Sequence, residues 1–237
     1  MKYIDRSSVP APKNLQNQAA PTSGADIKES IYGHANVKKA LTDLQQGVCC
    51  YCEAHYDTTG YGEVEHFRPK GGWQQDRDDK ELHQPGYYWL AYKWENLMYA
   101  CKKCNVGYKQ NYFPLEDPSK RFKEETLDIS QEKPLLINPY EEQHPEQHLT
   151  FNGPTIKALT DQGRASIDYY GLDRVELYEE RRRIFNPLNA LAKATGFLQG
   201  EKKDETVEEL KECLNEIMSS GQHTLMLRSN FGKFIEK

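Results

Sequence analysis

Two stretches of the chain repeat apolar residues every three or four positions, the spacing that places them on one face of an α-helix. The first stretch comprises Val37, Leu41 and Leu44. The second comprises Val207, Leu210, Leu214 and Ile217. We predict one helix that starts from an N-cap at Asn36 and stops at Gly47, and one packed helix near residue 210. A capping box of Asp173 with Glu176 predicts a further helix.

Other segments lack this helical period. Residues 63–70, EVEHFRPK, resemble a short strand, but the charged pair Glu65 and His66 interrupts the apolar alternation that one buried face requires. Residues 71–86 are polar and rich in turn formers, which predicts a surface insertion. Residues 7–25 are rich in Ser, Pro, Asn, Gln and Ala, and they indicate an arm that becomes ordered only by docking.

Length and composition limit the class of protein. With 237 residues the chain can bury a core without covalent staples, so stability alone does not explain its six cysteines. It has no apolar run of membrane-spanning length and no apolar signal segment at its start, so we expect a cytoplasmic protein without disulfides. The net charge of -5 argues against coating nucleic acid by bulk electrostatics, although residues 68–109 are locally basic.

Four of the cysteines form two matched pairs separated by 48 residues, and these are Cys49 with Cys52 and Cys101 with Cys104. A C-x-x-C turn directs two sulfurs inward, and two such turns supply the four thiolates of a structural zinc site. The alternatives are two unrelated buried pairs or a redox C-x-x-C motif. Cys50 and Cys213 are interpreted as core thiols.

The residues between the two cysteine pairs follow a fixed order, which is Glu65-His66, then Asn96, then Asn105 just after Cys104. This order resembles the zinc-stapled HNH, or ββα-metal, endonucleases over about residues 48–116. A longer set of motifs consists of C-x-Y-C-E, EHFRPK, YWLAYKWENL, AC-x-x-CN, FPL at 113–115, PLLINP and YYGLDR. This set is similar to the HNH nuclease subunit of Septu-type anti-phage systems, including those linked to retrons.

The resemblance implies a role for each site residue. His66 would be the general base, Glu65 and Asn105 would hold one Mg²⁺ or Mn²⁺, and Asn96 would pin the loop and orient His66. Arg68 and Lys109 would contact phosphate. Glu65 stands where many HNH enzymes have Asp, and Asn105 replaces a His, which favours Mg²⁺ or Mn²⁺ and leaves zinc a structural role only.

The fold class expected is therefore α+β, with a zinc-stapled HNH core embedded in a mostly helical chain. We predict an N-terminal arm and helix over residues 1–47, the nuclease core over 48–118, and a mainly helical region over 119–237 that docks a partner. The docking surface is expected to combine the arm with the basic run Arg181-Arg182-Arg183.

Three functions compete at this point. The first is a metal-dependent nuclease within a defence complex, acting on DNA by preference or on an RNA such as tRNA. The second is a non-catalytic zinc-ribbon adaptor that binds nucleic acid or protein, and the third is a redox or metal-storage protein. Because the chain lacks a G-x-x-x-x-G-K-[S/T] phosphate loop, nucleotide control would come from a partner. The resemblance implies an ATPase of the overcoming-lysogeny or SMC-like kind and, in retron-linked systems, a reverse transcriptase with its DNA–RNA hybrid.

Overall fold

The structure is a computed structural model that describes residues 1–7, 9–56 and 62–235. These residues form helices and two small antiparallel strand pairs. The α-helices are α1 Lys13–Gln16, α2 Glu29–Tyr32, α3 Ala35–Leu44, α4 Asp161–Tyr170, α5 Val175–Ala194, α6 Glu201–Ser219 and α7 Thr224–Phe231. The strands are β1 Gly62–His66, β2 Leu97–Cys101, β3 Leu149–Asn152 and β4 Thr155–Ala158. A π-helix spans Lys103–Lys109, and short 3₁₀ turns lie at Gly24–Asp26, Tyr88–Leu90, Trp94–Asn96, Pro118–Lys120, Pro145–Gln147 and Gly232–Phe234. The mixed α+β class is confirmed.

The first strand pair leads directly into the π-helix. β1 and β2 pair antiparallel, with Glu65 opposite Met98 and His66 opposite Leu97. The pairing extends one residue further, because the Phe67 N–H donates to the Asn96 carbonyl at 3.0 Å. The π-helix begins one residue after β2 ends. The chain therefore runs strand, strand, helix, and Glu65-His66, Asn96 and Asn105 lie on or directly beside these elements in the same order.

The helix predicted from Val37, Leu41 and Leu44 is confirmed, but its predicted N-cap is wrong. α3 begins at Ala35, and the ring nitrogen of the preceding His34 accepts the Asn36 N–H at 3.1 Å. The His34 ring therefore satisfies a free N–H in the first turn, the capping role that we had predicted for the Asn36 side chain. Val37 and Leu41 are fully buried.

The helices of the second half are partly as predicted. α6 buries Leu210 and Leu214, as the apolar stripe requires. The capping box is wrong, because α5 begins after Arg174 and no side chain caps its first turn. The region over 119–237 also contains the hairpin of β3 and β4, so it is less uniformly helical than expected.

The packing is continuous across the three predicted segments. One core cluster contains Ile4, the cysteines and Leu210, and the rings of Tyr51 and Tyr170 stack with centroids 3.8 Å apart. The start of the chain also docks: the Arg6 guanidinium lies 3.4 Å from the centroid of the Tyr140 ring and donates to the Leu97 carbonyl at 2.8 Å. Residues of all three segments therefore contribute to this cluster, whereas Val37 and Leu41 of α3 pack in a second cluster with Trp94 and Leu97.

Among the residues that the structure describes, no helix combines the length and apolar character that crossing a membrane would demand.

Candidate functional site

The four paired cysteines converge on one point. Cys49 and Cys52 come from the turn after α3, Cys101 ends β2, and Cys104 lies in the π-helix. Their Sγ atoms all lie within 4.8 Å of one another and are buried, and the Cys52 and Cys101 sulfurs are 3.9 Å apart. Tetrahedral Zn–S bonds of about 2.3 Å require sulfurs roughly 3.8 Å apart. The cluster could therefore hold one structural zinc ion.

Arg174 lies against this cluster, and sequence reasoning missed it. Its Nη1 lies 3.4 Å from Cys104 Sγ and its Nη2 lies 3.6 Å from Cys52 Sγ. Burial disfavours the charged form of a thiol, so four thiolates in this buried cluster need positive charge beside them. Four thiolates around one Zn²⁺ carry a net charge of about -2, and a guanidinium offsets part of it. The signal was present in the YYGLDR motif, whose last residue is Arg174.

Next to the cysteine cluster, three of the predicted site residues meet at one open cleft. Glu65, His66 and Asn105 all line this cleft, which has a volume of about 470 Å³. Glu65 and His66 reach it from the last two residues of β1, and Asn105 reaches it from the π-helix. The end of the strand allows two neighbouring residues to share one site, although a regular strand would direct them to opposite faces.

Glu65 is a buried carboxylate that is held from one side. Lys109 Nζ lies 2.6 Å from its Oε1, and the Tyr51 hydroxyl donates to the same oxygen at 3.4 Å. Lys109 also donates to the His66 carbonyl at 3.0 Å. Both contacts fall on Oε1, and no described residue donates a hydrogen bond to Oε2. Within the described residues, one carboxylate oxygen therefore has its lone pairs free.

His66 is a neutral imidazole in a defined tautomer. Its Nε2 lies 3.0 Å from the Ala91 carbonyl, which can only accept, so Nε2 carries the hydrogen and Nδ1 keeps a lone pair. Burial lowers the pKa of His66 well below its ordinary value, and the charge of Lys70 lowers it further. The ring of Tyr32 packs edge-on against the imidazole, with centroids 4.7 Å apart.

The two asparagines differ in their roles. Asn96 Oδ1 accepts the Arg68 N–H at 2.8 Å and its Nδ2 donates to the Arg68 carbonyl at 3.1 Å, so its side chain fixes the backbone just after β1. It also donates to the Leu90 carbonyl at 3.3 Å, next to the residue that binds His66. Asn105 Nδ2 donates to Glu63 Oε2 at 3.2 Å, and its Oδ1 makes no hydrogen bond within the described chain.

The two cations predicted to contact phosphate each form an ion pair with a carboxylate of the protein. Arg68 Nε lies 3.2 Å from Glu132 Oε2, and its side chain is only 12% exposed. Lys109 is fully buried against Glu65. Neither side chain lines the cleft as described. Carboxylates of the chain itself therefore balance both charges, and contact of either residue with phosphate stays a prediction.

The geometry defines a mixed α+β protein with a buried four-cysteine centre beside a cleft that contains a neutral histidine and a carboxylate. No protein-family model and no solved structure matches the chain. Over 220 residues it is 36% identical to the Septu protein PtuB of Bacillus mycoides (strain KBAB4), a match that covers 87% of this chain and 74% of the relative. Over 205 residues it is 26% identical to the Septu protein PtuB of Bacillus thuringiensis, covering 85% and 62%. The chain belongs to the Septu PtuB family.

Proposed function

We propose that this chain is a metal-dependent HNH endonuclease that hydrolyses nucleic-acid phosphodiester bonds as the effector subunit of an anti-phage defence complex. The observation that carries the proposal is the convergence at one open cleft of a neutral, oriented His66 with Glu65 Oε2 and Asn105 Oδ1, two oxygens that accept no hydrogen bond from the described residues. Membership of the Septu PtuB family supports the defence role.

His66 would act as the general base. Nδ1 takes a proton from a water molecule as the water oxygen attacks phosphorus, and the bond from phosphorus to the leaving oxygen breaks. The Ala91 carbonyl holds the ring in the tautomer that leaves Nδ1 free and stabilises the imidazolium that forms. Asn96 acts indirectly, because its side chain fixes the loops on both sides of the imidazole.

A divalent cation fits the remaining donors. Glu65 Oε2 and Asn105 Oδ1 are hard oxygens of the type that Mg²⁺ and Mn²⁺ prefer, and neither has a hydrogen bond within the described residues. When bound there, the ion would supply positive charge for the phosphate and for the leaving oxygen. Lys109 positions the carboxylate by holding the other oxygen, Oε1.

An ATPase is the proposed partner, and part of the predicted docking surface has to be revised. Arg181 is buried and donates to the Leu172 carbonyl at 2.6 Å, so it cannot reach a partner. Arg182 and Arg183 remain exposed on α5. Gel filtration of the chain co-expressed with the candidate ATPase tests the partnership. The two proteins should elute together at micromolar concentration, and separate elution would count against the partnership.

The test of nuclease function is cleavage of labelled DNA and labelled tRNA in Mg²⁺ by the chain with and without its partner. His66→Ala should retain folding and zinc and lose about 10²- to 10⁴-fold in rate, because a general base is removed. His144→Ala is the matched control, since His144 is an exposed histidine on a loop. Cleavage of tRNA alone would assign the substrate to RNA. A wild-type chain that binds nucleic acid and cuts neither substrate would favour the zinc-ribbon adaptor.

Metal dependence separates the roles of the three cleft residues. Glu65→Ala and Asn105→Ala each remove a proposed metal ligand, so in protein that a melting curve shows to be folded, raising Mg²⁺ or Mn²⁺ should restore part of their activity. His66→Ala should not respond to metal, because no added ion replaces the lost proton acceptor. Rescue of His66→Ala but not of Glu65→Ala would mean that the two roles are reversed.

A further inference from the structure

Lys70 lines the same cleft as Glu65, His66 and Asn105, and it has no role in the function proposed so far. It follows β1 by four residues, in the EHFRPK segment, and its side chain is partly buried. Its Nζ lies 4.8 Å from the centroid of the Tyr32 ring, and the same ring packs against His66. The ammonium and the imidazole are therefore neighbours of one tyrosine at one cleft.

The ammonium of Lys70 differs from the other cations near the site in having no anionic partner. Arg68 is paired with Glu132, and Lys109 is paired with Glu65. For Lys70, no hydrogen bond and no carboxylate oxygen within 4.0 Å occurs among residues 1–7, 9–56 and 62–235, so its N–H donors contact only the face of an aromatic ring. Because Lys70 lines the open cleft, an anion that enters the cleft can accept from its free N–H donors.

Glu65 influences the charge of Lys70 without pairing with it. Burial lowers the pKa of the Lys70 amine, and the Glu65 carboxylate opposes this effect by favouring the charged form. Glu65 cannot also serve as its ion-pair partner in this geometry, because Lys109 Nζ already holds Glu65 Oε1 at 2.6 Å. The cleft thus contains a cation that contacts no anion among the residues that the structure describes.

We propose that Lys70 Nζ binds the scissile phosphodiester in this cleft and stabilises the negative charge that grows on its oxygens during hydrolysis. The inference rests on the nuclease function proposed above and assigns the phosphate contact to a residue other than Arg68 or Lys109. An ammonium provides three donors to phosphate oxygens and a full positive charge at short range. The competing interpretation is that Lys70 only packs against Tyr32.

The first measurement is cleavage of a fluorescein-labelled DNA duplex by the full zinc-loaded chain in saturating Mg²⁺. Lys70→Met preserves the aliphatic stem on Tyr32 and removes the charge, and we expect kcat to fall by about 10²- to 10³-fold with an unchanged melting temperature. Lys70→Arg should recover part of kcat, because it keeps the charge. Lys157→Met is the control, since it removes one exposed lysine from the separate β3–β4 hairpin, and it should cut like the wild type.

The second measurement is binding of the same duplex to His66→Ala, with and without Lys70→Met, over a range of salt concentrations. Loss of one phosphate contact should lower the slope of log K against log salt by about 0.9. If the wild type cuts and Lys70→Met matches Lys157→Met in both measurements, the Lys70 assignment is overturned and the nuclease function stands. If the wild type cuts nothing and Lys70→Met still lowers the slope, the phosphate contact stands and the nuclease function fails.

Discussion

Removal of the Lys109 ammonium should destabilise the whole fold, because it leaves the Glu65 carboxylate buried without its partner. The side chain of Lys109 is 0% exposed and that of Glu65 is 7% exposed, with 2.6 Å between Nζ and Oε1. Breaking a buried ion pair by deleting one member costs about 3–5 kcal/mol. For a chain of this size each kcal/mol lowers the melting temperature by about 2–4 °C, so Lys109→Met should melt roughly 6–20 °C lower than the wild type.

The assay is urea and thermal unfolding of zinc-loaded protein at neutral pH, with an unchanged urea m value as evidence of a comparable unfolded state. Lys39→Met is a matched control, because Lys39 Nζ also lies 2.6 Å from a carboxylate oxygen, that of Asp43, but in an exposed pair. That change should cost far less, since exposed pairs contribute little. The double variant Lys109→Met/Glu65→Gln should recover much of the loss, because no unpaired charge remains. A stability of Lys109→Met equal to that of Lys39→Met would refute the reasoning.

Three further predictions concern the cysteine centre and the histidine. Cys101→Ser removes one of the four proposed zinc ligands that join β2 to the turn after α3, so it should unfold the core and yield insoluble or zinc-free protein. A soluble variant that lacks zinc and melts like the wild type would contradict a structural zinc site. The Arg174→Met variant should release zinc to a chelator about 10- to 100-fold more readily than the wild type. Arg182→Met, which changes an exposed arginine of α5, is the control and should release zinc like the wild type. Equal release from both variants would show that the Arg174 guanidinium does not support the site. Because burial lowers the pKa of His66, the imidazole stays neutral even when the pH falls below the ordinary pKa of histidine. The rate of cleavage should therefore decline only at a pH more acidic than the one at which an exposed histidine would become protonated. A pH–rate profile of kcat measures this, and a decline centred at the ordinary histidine pKa would count against the buried base.

The sequence by itself determined the features that depend on spacing. Two C-x-x-C pairs fixed the four-cysteine cluster, because each short turn already directs two sulfurs the same way. The periodic leucines of α6 fixed its buried face, since helical geometry repeats every 3.6 residues. The order Glu65-His66, Asn96 and Asn105, with the family resemblance that it carries, predicted that these four residues form one site, and three of them, Glu65, His66 and Asn105, line one cleft.

What only the tertiary structure decided is the state of each charge. Sequence proximity nominated Arg68 and Lys109 as phosphate contacts, but their charges are matched by Glu132, 64 residues away, and by Glu65, 44 residues away. Sequence reasoning missed Lys70, which has no such partner in the described part of the chain, and Arg174, which reaches Cys104 from 70 residues away. The physical reason is that the availability of a charge depends on burial and on the nearest opposite charge in space. Local spacing defines neither quantity when the partners come from distant parts of the chain.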